Sequence, residues 1–267
     1  MNQPIKPTNP HVLRLEVLRN EQISPNIRRI TAGGADLAKF APLGADQWFR
    51  LFFPREGQNE LRLPTTASNL WYAQFLAMGK NKPRVRNYTV RAFRGGAAPE
   101  LDIDMVAHGD TTPASAWANR AKPGDPLGIL DQGCYYNPPK DCSELLLVAD
   151  ESGLPAIMGI LETHRPQVPT RAFIEIPDAA DAQPLPEGLG NVEVAWLPRK
   201  DPHARPGELA LHEAKHAKPP AADSHTFVVG ESGLPTGLRR HLVNLAGVPK
   251  SRVTFVGYWK YGKAEPM

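Results

Sequence analysis

A chain of 267 residues is long enough for two ordinary domains, and its 41% hydrophobic content supplies material for their cores. Its 31 basic and 28 acidic residues leave a net charge of +3, too balanced to indicate nucleic-acid binding from charge alone. Cys134 and Cys142, without a CxxC spacing, fit a reduced pair better than a disulfide framework.

No apolar run is long enough to cross a bilayer. The polar, proline-rich start has no secretory h-region, so a cytoplasmic protein is expected. The 28 prolines favour loops and bounded strands over long helices.

In chain order, alternation predicts strands over 11–18 and 27–31, joined by a Ser24-Pro25 turn. Further strands are expected at 47–53, closed by Pro54, then at 87–94, 101–106 and 126–130. Between them 58–64 reads as a loop and 67–78 as a helix with an irregular apolar side. Many short strands with Gly/Pro turns imply an antiparallel barrel or sandwich, which periodicity alone does not separate.

From Ser143 the texture changes. Residues 145–149 form a continuous apolar run, the mark of a strand buried on both faces. A helix over 156–164, strands at 171–176 and 192–197, and a helix over 208–217 follow. A strand at 226–230, a helix over 237–245 and a strand at 253–258 complete the pattern. Strands alternating with helices imply a doubly wound parallel sheet, whose ligands bind beyond the carboxyl ends of its strands. That places Asp150-Glu151-Ser152-Gly153 and Gly230-Glu231 at one crevice, although neither is a G-x-G-x-x-G loop. The expected division is 1–139 and 140–267.

Two stretches carry chemistry. In Arg86-Asn87-Tyr88-Thr89-Val90-Arg91, guanidinium forks suited to a pyrophosphate flank an aromatic ring and a hydroxyl. As a strand it turns Arg86, Tyr88 and Val90 to one face, and Asn87, Thr89 and Arg91 to the other. Taken alone, this hexapeptide serves equally well as an edge strand with solvated arginines. Then His108-Gly109-Asp110-Thr111-Thr112-Pro113-Ala114-Ser115-Ala116-Trp117-Ala118 reads as a turn entering a helix. The N–H groups at such a helix start suit a phosphate.

A third motif belongs to another class. His212-Glu213-Ala214-Lys215-His216 is a literal H-E-x-x-H, in which two histidines on one helix face could bind zinc with Glu213 as general base. Its short, Ala/Lys-rich helix, ending at Lys218-Pro219-Pro220, reads instead as a solvated crossover. A zinc hydrolase is the remote alternative.

The R-x-Y-T-x-R stretch resembles the flavin motif of the siderophore-interacting proteins, a branch of the ferredoxin-reductase-like flavoenzymes. The stretch from His108 resembles that family's H-G-x-x-G-P-A-S-x-W-A, departing at Thr112, where glycine is usual. Asp150-Glu151-Ser152-Gly153-Leu154-Pro155-Ala156-Ile157 is similar to its D-E-T-A-L-P-A-I. Glu175 to Asp181 and Gly230-Glu231 match further segments, and Gly257-Tyr258-Trp259-Lys260 resembles its G-Y-W-R. The likeness runs in family order from about Val12 to Glu265.

The resemblance implies a Greek-key barrel that binds FAD, followed by an NAD(P)H-binding-like α/β domain. It implies a reductase that passes electrons from NADH, NADPH or a ferredoxin through flavin to the Fe(III) of a hydroxamate or catecholate siderophore. No side chain need act as a nucleophile. Arg86, Tyr88, Thr89, Val90 and Arg91 would hold the flavin, with Tyr88 against the isoalloxazine. Asp104, Met105, Val106 and His108 would line its ring or ribose, and Thr111, Thr112, Ala114 and Ser115 the pyrophosphate. Asp150, Glu151, Ser152, Gly153, Gly230 and Glu231 would meet the nicotinamide nucleotide.

Arg50, in place of the lysine of a K-L-x-x-P strand, would contact an anionic siderophore together with Trp259 and Lys260. The segment Asp131-Gln132-Gly133 departs from the family's G-P-x-G, so no third basic contact is assigned there. A monomer is expected. The alternative from another class is a non-catalytic flavin- or siderophore-binding module.

Overall fold

The computed structural model describes residues 4–263 except 59, 69, 108, 110, 111, 165 and 202. The chain divides into two compact units, the first spanning Ile5–Cys134 and the second beginning at Tyr135.

The first unit is a seven-stranded antiparallel sheet. Its strands are β1 (Val12–Ser24), β2 (Ile27–Gly33), β3 (Trp48–Phe53), β4 (Arg84–Thr89), β5 (Ala92–Arg94), β6 (Glu100–Val106) and β7 (Pro126–Gly133). They lie in the order β4-β3-β7-β1-β2-β6-β5. The outermost strands, β4 and β5, are joined only by Val90 and Arg91, so the two edges must come together and the sheet rolls into a barrel.

Alternate residues fill the barrel. Leu13, Leu15 and Val17, Phe49, Leu51 and Phe53, Ile103 and Met105, and Leu127 and Ile129 share one core. Each such large side chain contributes about 1.5–3 kcal/mol by leaving water. The helix α1 (Trp71–Ala77) lies outside this core, over Phe52, Val85 and Leu130. The helix α2 (Pro113–Arg120) joins the core through Trp117, whose ring lies 5.2 Å from that of Phe53. Asn20 fixes the far end of α2 by donating to the Ala118 and Ala121 carbonyls.

The strand expected at 87–94 is two strands. The Val90 N–H bonds to Gln47, but the Arg91 N–H bonds to Asp102 of β6. The chain therefore crosses from one sheet edge to the other within two residues. A period-two pattern records which face a side chain takes, not which neighbour its backbone meets. The helix expected over 67–78 is confined to α1.

The second unit is a five-stranded parallel sheet in the order β10-β9-β8-β11-β12, formed by β8 (Leu145–Ala149), β9 (Thr170–Ile176), β10 (Val192–Pro198), β11 (His225–Glu231) and β12 (Val253–Trp259). It winds outward from β8 in both directions, so right-handed crossovers put α3 (Leu154–Gly159) on one face and α4 (Glu208–His216) and α5 (Gly233–Asn244) on the other. Ala210, Ala214, Leu234, Leu238 and Leu242 of α4 and α5 pack on Leu146, Val148 and Val228. The point where strand order reverses lies between β8 and β11.

Glu175, fully buried at the end of β9, ties this unit together. Its carboxylate accepts from the Gly207 and Ala210 N–H groups at the start of α4, both at 2.9 Å, and from Arg199 at 2.9 Å. Arg199 also forks onto Glu151 at 2.6 and 2.8 Å. Glu175→Ala is expected to cost about 3–5 kcal/mol, because it leaves a helix start and half of a buried ion network without their acceptor. A urea midpoint that drops with unchanged slope checks this.

His225, buried beside Tyr136 and Thr254, is held neutral. Burial, with help from the Arg252 charge, pulls it from its ordinary 6.5 down to about 4. The unfolded chain then binds this proton before the folded chain does. Stability should be full above pH 6.5 and fall by up to about 3 kcal/mol as pH drops through that window to 4. His225→Gln should flatten that part of the stability–pH curve.

Candidate functional site

The barrel is not sealed by hydrogen bonds all round. β5 pairs only with Glu100, Leu101 and Asp102 of β6, whereas β2 pairs along the whole of β6. The Asp102 carbonyl accepts the Arg91 N–H, so its main chain points toward the β5 side. By the two-residue period, the main-chain groups of Asp104 and Val106 point the same way, beyond the end of β5. Opposite this opening stands β4. In its ladder with β3, Tyr88 lies across from Phe49 and Arg86 across from Leu51, both core residues. Arg86 and Tyr88 thus take the inner face, and Asn87 and Thr89 the outer, as the alternation requires. Tyr88 is half-buried and packs against the barrel core.

The helix α2 starts at Thr112, whose hydroxyl accepts the Ser115 N–H at 3.2 Å. The residue that replaces the family's glycine is therefore the helix cap. Ser115 is buried and donates its own hydroxyl to the Val106 carbonyl at 3.1 Å, tying the helix start to the end of β6. Ala114 is buried beside it. His108 and Thr111 lie outside the described residues.

Beside the start of α2 is a cavity of ≈ 310 Å³ lined by Arg55, Glu56, Arg84, Thr112, Pro113 and Arg120, among others. Burial lowers the Arg55 guanidinium from its ordinary range, and the Arg84 and Arg86 charges lower it further. Arg55, Arg84 and Arg120 thus line one cavity, with the Glu56 carboxylate among them, near a helix start that favours negative charge. Arg55 is held there by donating to the Lys82 carbonyl at 2.7 Å. Its neighbour Gln58 reaches Asn81 at 2.9 Å. An anion such as a pyrophosphate fits this donor set.

Arg55, Arg84 and Arg120 were not singled out by motif. The signal that finds Arg84 is the run 61–99, which holds seven Lys and Arg residues and no Asp or Glu.

Arg91 serves differently. It lies 3.5 Å from Asp104, which Arg29 also holds by two bonds at 2.7 and 2.8 Å. Asp104 turns its carboxylate to these cations, and the Met105 side chain is fully buried in the core. These two residues can meet a ligand only through main-chain groups. Val90 and Thr89 are buried as well.

In the second unit, the residues expected at the crevice gather at the carboxyl ends of β8 and β11, and they are largely engaged with one another. Asp150 is fully buried and accepts from Ser152 and from the Glu231 N–H. Burial pushes its carboxyl up, and the Glu151 charge adds to the shift. Gly230 has φ +136°, and a Cβ there would lie 2.6 Å from the Asp150 carboxylate, so this approach requires glycine. Gly153 packs closely too: a Cβ there would lie 2.6 Å from Val229. Glu231 accepts from Arg205, Gly233 and Tyr261. Trp259 bridges the two loops, donating from its indole to Ser152 and accepting from the Ser232 hydroxyl. Lys260 is exposed, and Arg50 lies on the outer face of β3 in the first unit.

The H-E-x-x-H pair falls on α4 with ring centroids 4.2 Å apart, and the His216 Nδ1 bonds the His212 carbonyl at 2.8 Å. Among the described residues, no three His, Cys, Asp or Glu side chains gather to hold a metal. The zinc-hydrolase alternative thus lacks a third ligand among them.

Asp104→Asn should cost about 3 kcal/mol, because Arg29 and Arg91 lose the charge they share in a largely buried site. Thermal and urea melts check this, and an unchanged midpoint would show the pair to be decorative.

Comparison with known proteins agrees with this geometry. Residues 16–134 match the model of the siderophore-interacting FAD-binding domain, and residues 142–262 that of the siderophore-interacting protein. The chain is 31% identical over 256 residues to the ferric vibriobactin reductase of Vibrio cholerae, covering 94% of this chain and 90% of that one. It is 31% identical over 250 residues to the NADPH-dependent ferric-chelate reductase of Escherichia coli, covering 92% and 91%. The crystal structure of a siderophore utilization protein from T. fusca superposes with a TM-score of 0.82 at 31% identity, covering 98% of this chain and 97% of that one. Matched over both of its units, the chain belongs to the siderophore-interacting protein family.

Proposed function

We propose that the chain is an FAD-dependent reductase of ferric siderophores, supplied with electrons by a reduced nicotinamide bound in its second unit. The observation that carries this reading is the gathering of Arg55, Arg84 and Arg120 around the cavity at the α2 start, with Arg86 near enough for its charge to act on Arg55. That arrangement offsets the charge of a pyrophosphate and leaves main-chain groups and the Tyr88 ring for a flat heterocycle. Both relatives named above are ferric reductases, which supports the activity.

In this reading residues 1–139 hold FAD and residues 140–267 receive NADH or NADPH. Arg84, Arg86 and Arg55 neutralise the pyrophosphate, with Thr112, Ala114 and Ser115 shaping the helix start beneath it. Tyr88 covers the isoalloxazine, Thr89, Val90 and Arg91 hold the strand end that carries it, and main-chain groups of Asp104, Met105 and Val106 edge the ring. Bound FAD supplies the conversion of one hydride into two single-electron transfers, one to each of two ferric ions. Arg50 in the first unit and Lys260 in the second each offer a positive charge to an anionic chelate, and Trp259 an indole face. Iron leaves because hard, anionic oxygen ligands hold Fe(II) less tightly than Fe(III). Among the described residues no helix is long and apolar enough to cross a membrane.

Reconstitution with FAD followed by calorimetry tests the cradle. One FAD per chain is expected. Arg84→Gln and Arg86→Gln should each weaken it at least tenfold, about 1.4 kcal/mol, with unchanged far-UV circular dichroism. Wild-type protein that takes up no FAD, or variants that bind it as tightly as wild type, would overturn the reading.

A further inference from the structure

The helix α1 breaks the rule that a surface helix turns a polar face to water. From Leu70 to Met78 the chain reads Leu-Trp-Tyr-Ala-Gln-Phe-Leu-Ala-Met, in which Gln74 alone is polar. Gln74 turns back to the protein, where its side-chain oxygen accepts the Thr65 and Thr66 N–H groups at 3.0 and 3.2 Å. Phe75 is fully buried, and Trp71 packs with it over Phe52 and Val85. The opposite side of the helix is as apolar as the buried one. Tyr72 and Leu76, one turn apart, are 42% and 50% exposed, and Leu70 is 66% exposed. Ala73 and Ala77 are exposed beside them.

A single exposed apolar side chain is ordinary, but a contiguous patch marks a contact surface. Its border is cationic. Lys80 is exposed in the short turn Gly79–Asn81 that follows the helix, and Lys82 stands over the Phe75 ring at 5.6 Å. Residues 61–99 contain no Asp or Glu, and Glu60, just before them, is paired with Arg62 at 3.3 Å. A second copy docked by two-fold symmetry would set these lysines against their own images. The patch is the outer side of one helix, a convex surface that suits a fluid layer better than a matched protein groove. Seated to half its width of about 10–12 Å, α1 would reach the depth of about 5–10 Å that interfacial helices occupy.

We propose that α1 docks the chain on a lipid bilayer that carries anionic headgroups. Leu70, Tyr72 and Leu76 enter the boundary between headgroups and acyl chains, and Lys80 and Lys82 meet the headgroups. A tyrosine suits that depth, with its ring in the apolar layer and its hydroxyl in the wet one. Lysine stems lie along apolar surface while their charges stay in water. The chain rests on the membrane without crossing it. This inference goes beyond electron transfer and does not depend on it.

Flotation of the full chain with vesicles tests the proposal. One set is phosphatidylcholine mixed with phosphatidylglycerol, the other pure phosphatidylcholine. Binding to the mixed vesicles is expected to be tighter by about tenfold or more, and the preference should shrink as salt rises. Leu70→Ser combined with Leu76→Ser should weaken that binding about tenfold, with an unchanged thermal midpoint. Lys80→Gln combined with Lys82→Gln should remove most of the preference while leaving the weak binding to pure phosphatidylcholine. No binding to either vesicle would overturn the proposal. So would binding that the leucine variants leave intact, because charge alone would then account for it. Soluble polyglutamate that binds as tightly as the vesicles, and is lost with the same substitutions, would point to an acidic protein instead and overturn it. A dimer in sedimentation velocity that the leucine variants dissolve would assign the patch to a second copy, with the same result.

Discussion

Like-charge crowding organises the first unit. The β3–β4 ladder fixes Arg84 and Arg86 two residues apart on one face of one strand, and the Lys82 carbonyl holds Arg55 close to both. Burial lowers the affinity of Arg55 for its proton, and the nearby charges of Arg84 and Arg86 lower it further. The barrel contributes the stiffness that makes the arrangement persist. The core residues Phe49, Leu51 and Phe53 pin β3, and Trp117 holds α2 so that its N-terminus opens on the same cavity. Function on this reading is the answer to an electrostatic imbalance that the fold maintains.

The second unit handles charge in the opposite way. Glu151 and Glu175 share Arg199, Glu231 takes Arg205, and Asp150 is satisfied by Ser152 and the Glu231 N–H. These groups hold the ends of β8, β9 and β11 and the start of α4 in register. Buried pairs of this kind contribute little net stability against an apolar alternative, but breaking one is costly, so they specify geometry. The crevice loops thus owe their shape to charges paired with one another, whereas the barrel gathers charges for a ligand.

Much of this was legible in the sequence, and the parts that were not share a cause. The two architectures followed from alternation before Ser143 and from continuous apolar strands after it, because those patterns report burial directly. The flavin-like hexapeptide was visible, yet its crossing at Val90–Arg91 was not, since the partners that redirect it, Gln47 and Asp102, are named only by the fold. Thr112 showed in the sequence only as a departure from the family's glycine; in place it caps α2. Ser115 read as a phosphate ligand, but its hydroxyl is taken by Val106. Arg55 entered no motif, because its relation to Arg84 and Arg86 spans a loop and a helix. Glu151 meets Arg199 only through the winding of the sheet. Patterns local in sequence were readable, and pairings across it were not.

The most direct measurement is the absorption spectrum of the FAD-reconstituted protein, followed anaerobically through addition of NADPH or NADH and then of a ferric siderophore. The account predicts flavin bands that bleach with the nicotinamide and return on addition of the ferric chelate, with Fe(II) released in proportion of two per hydride. Flavin bands that bleach but do not return with any ferric chelate would contradict the assignment of a ferric siderophore as the electron acceptor. Absence of a flavin spectrum after reconstitution would contradict the anion cradle itself.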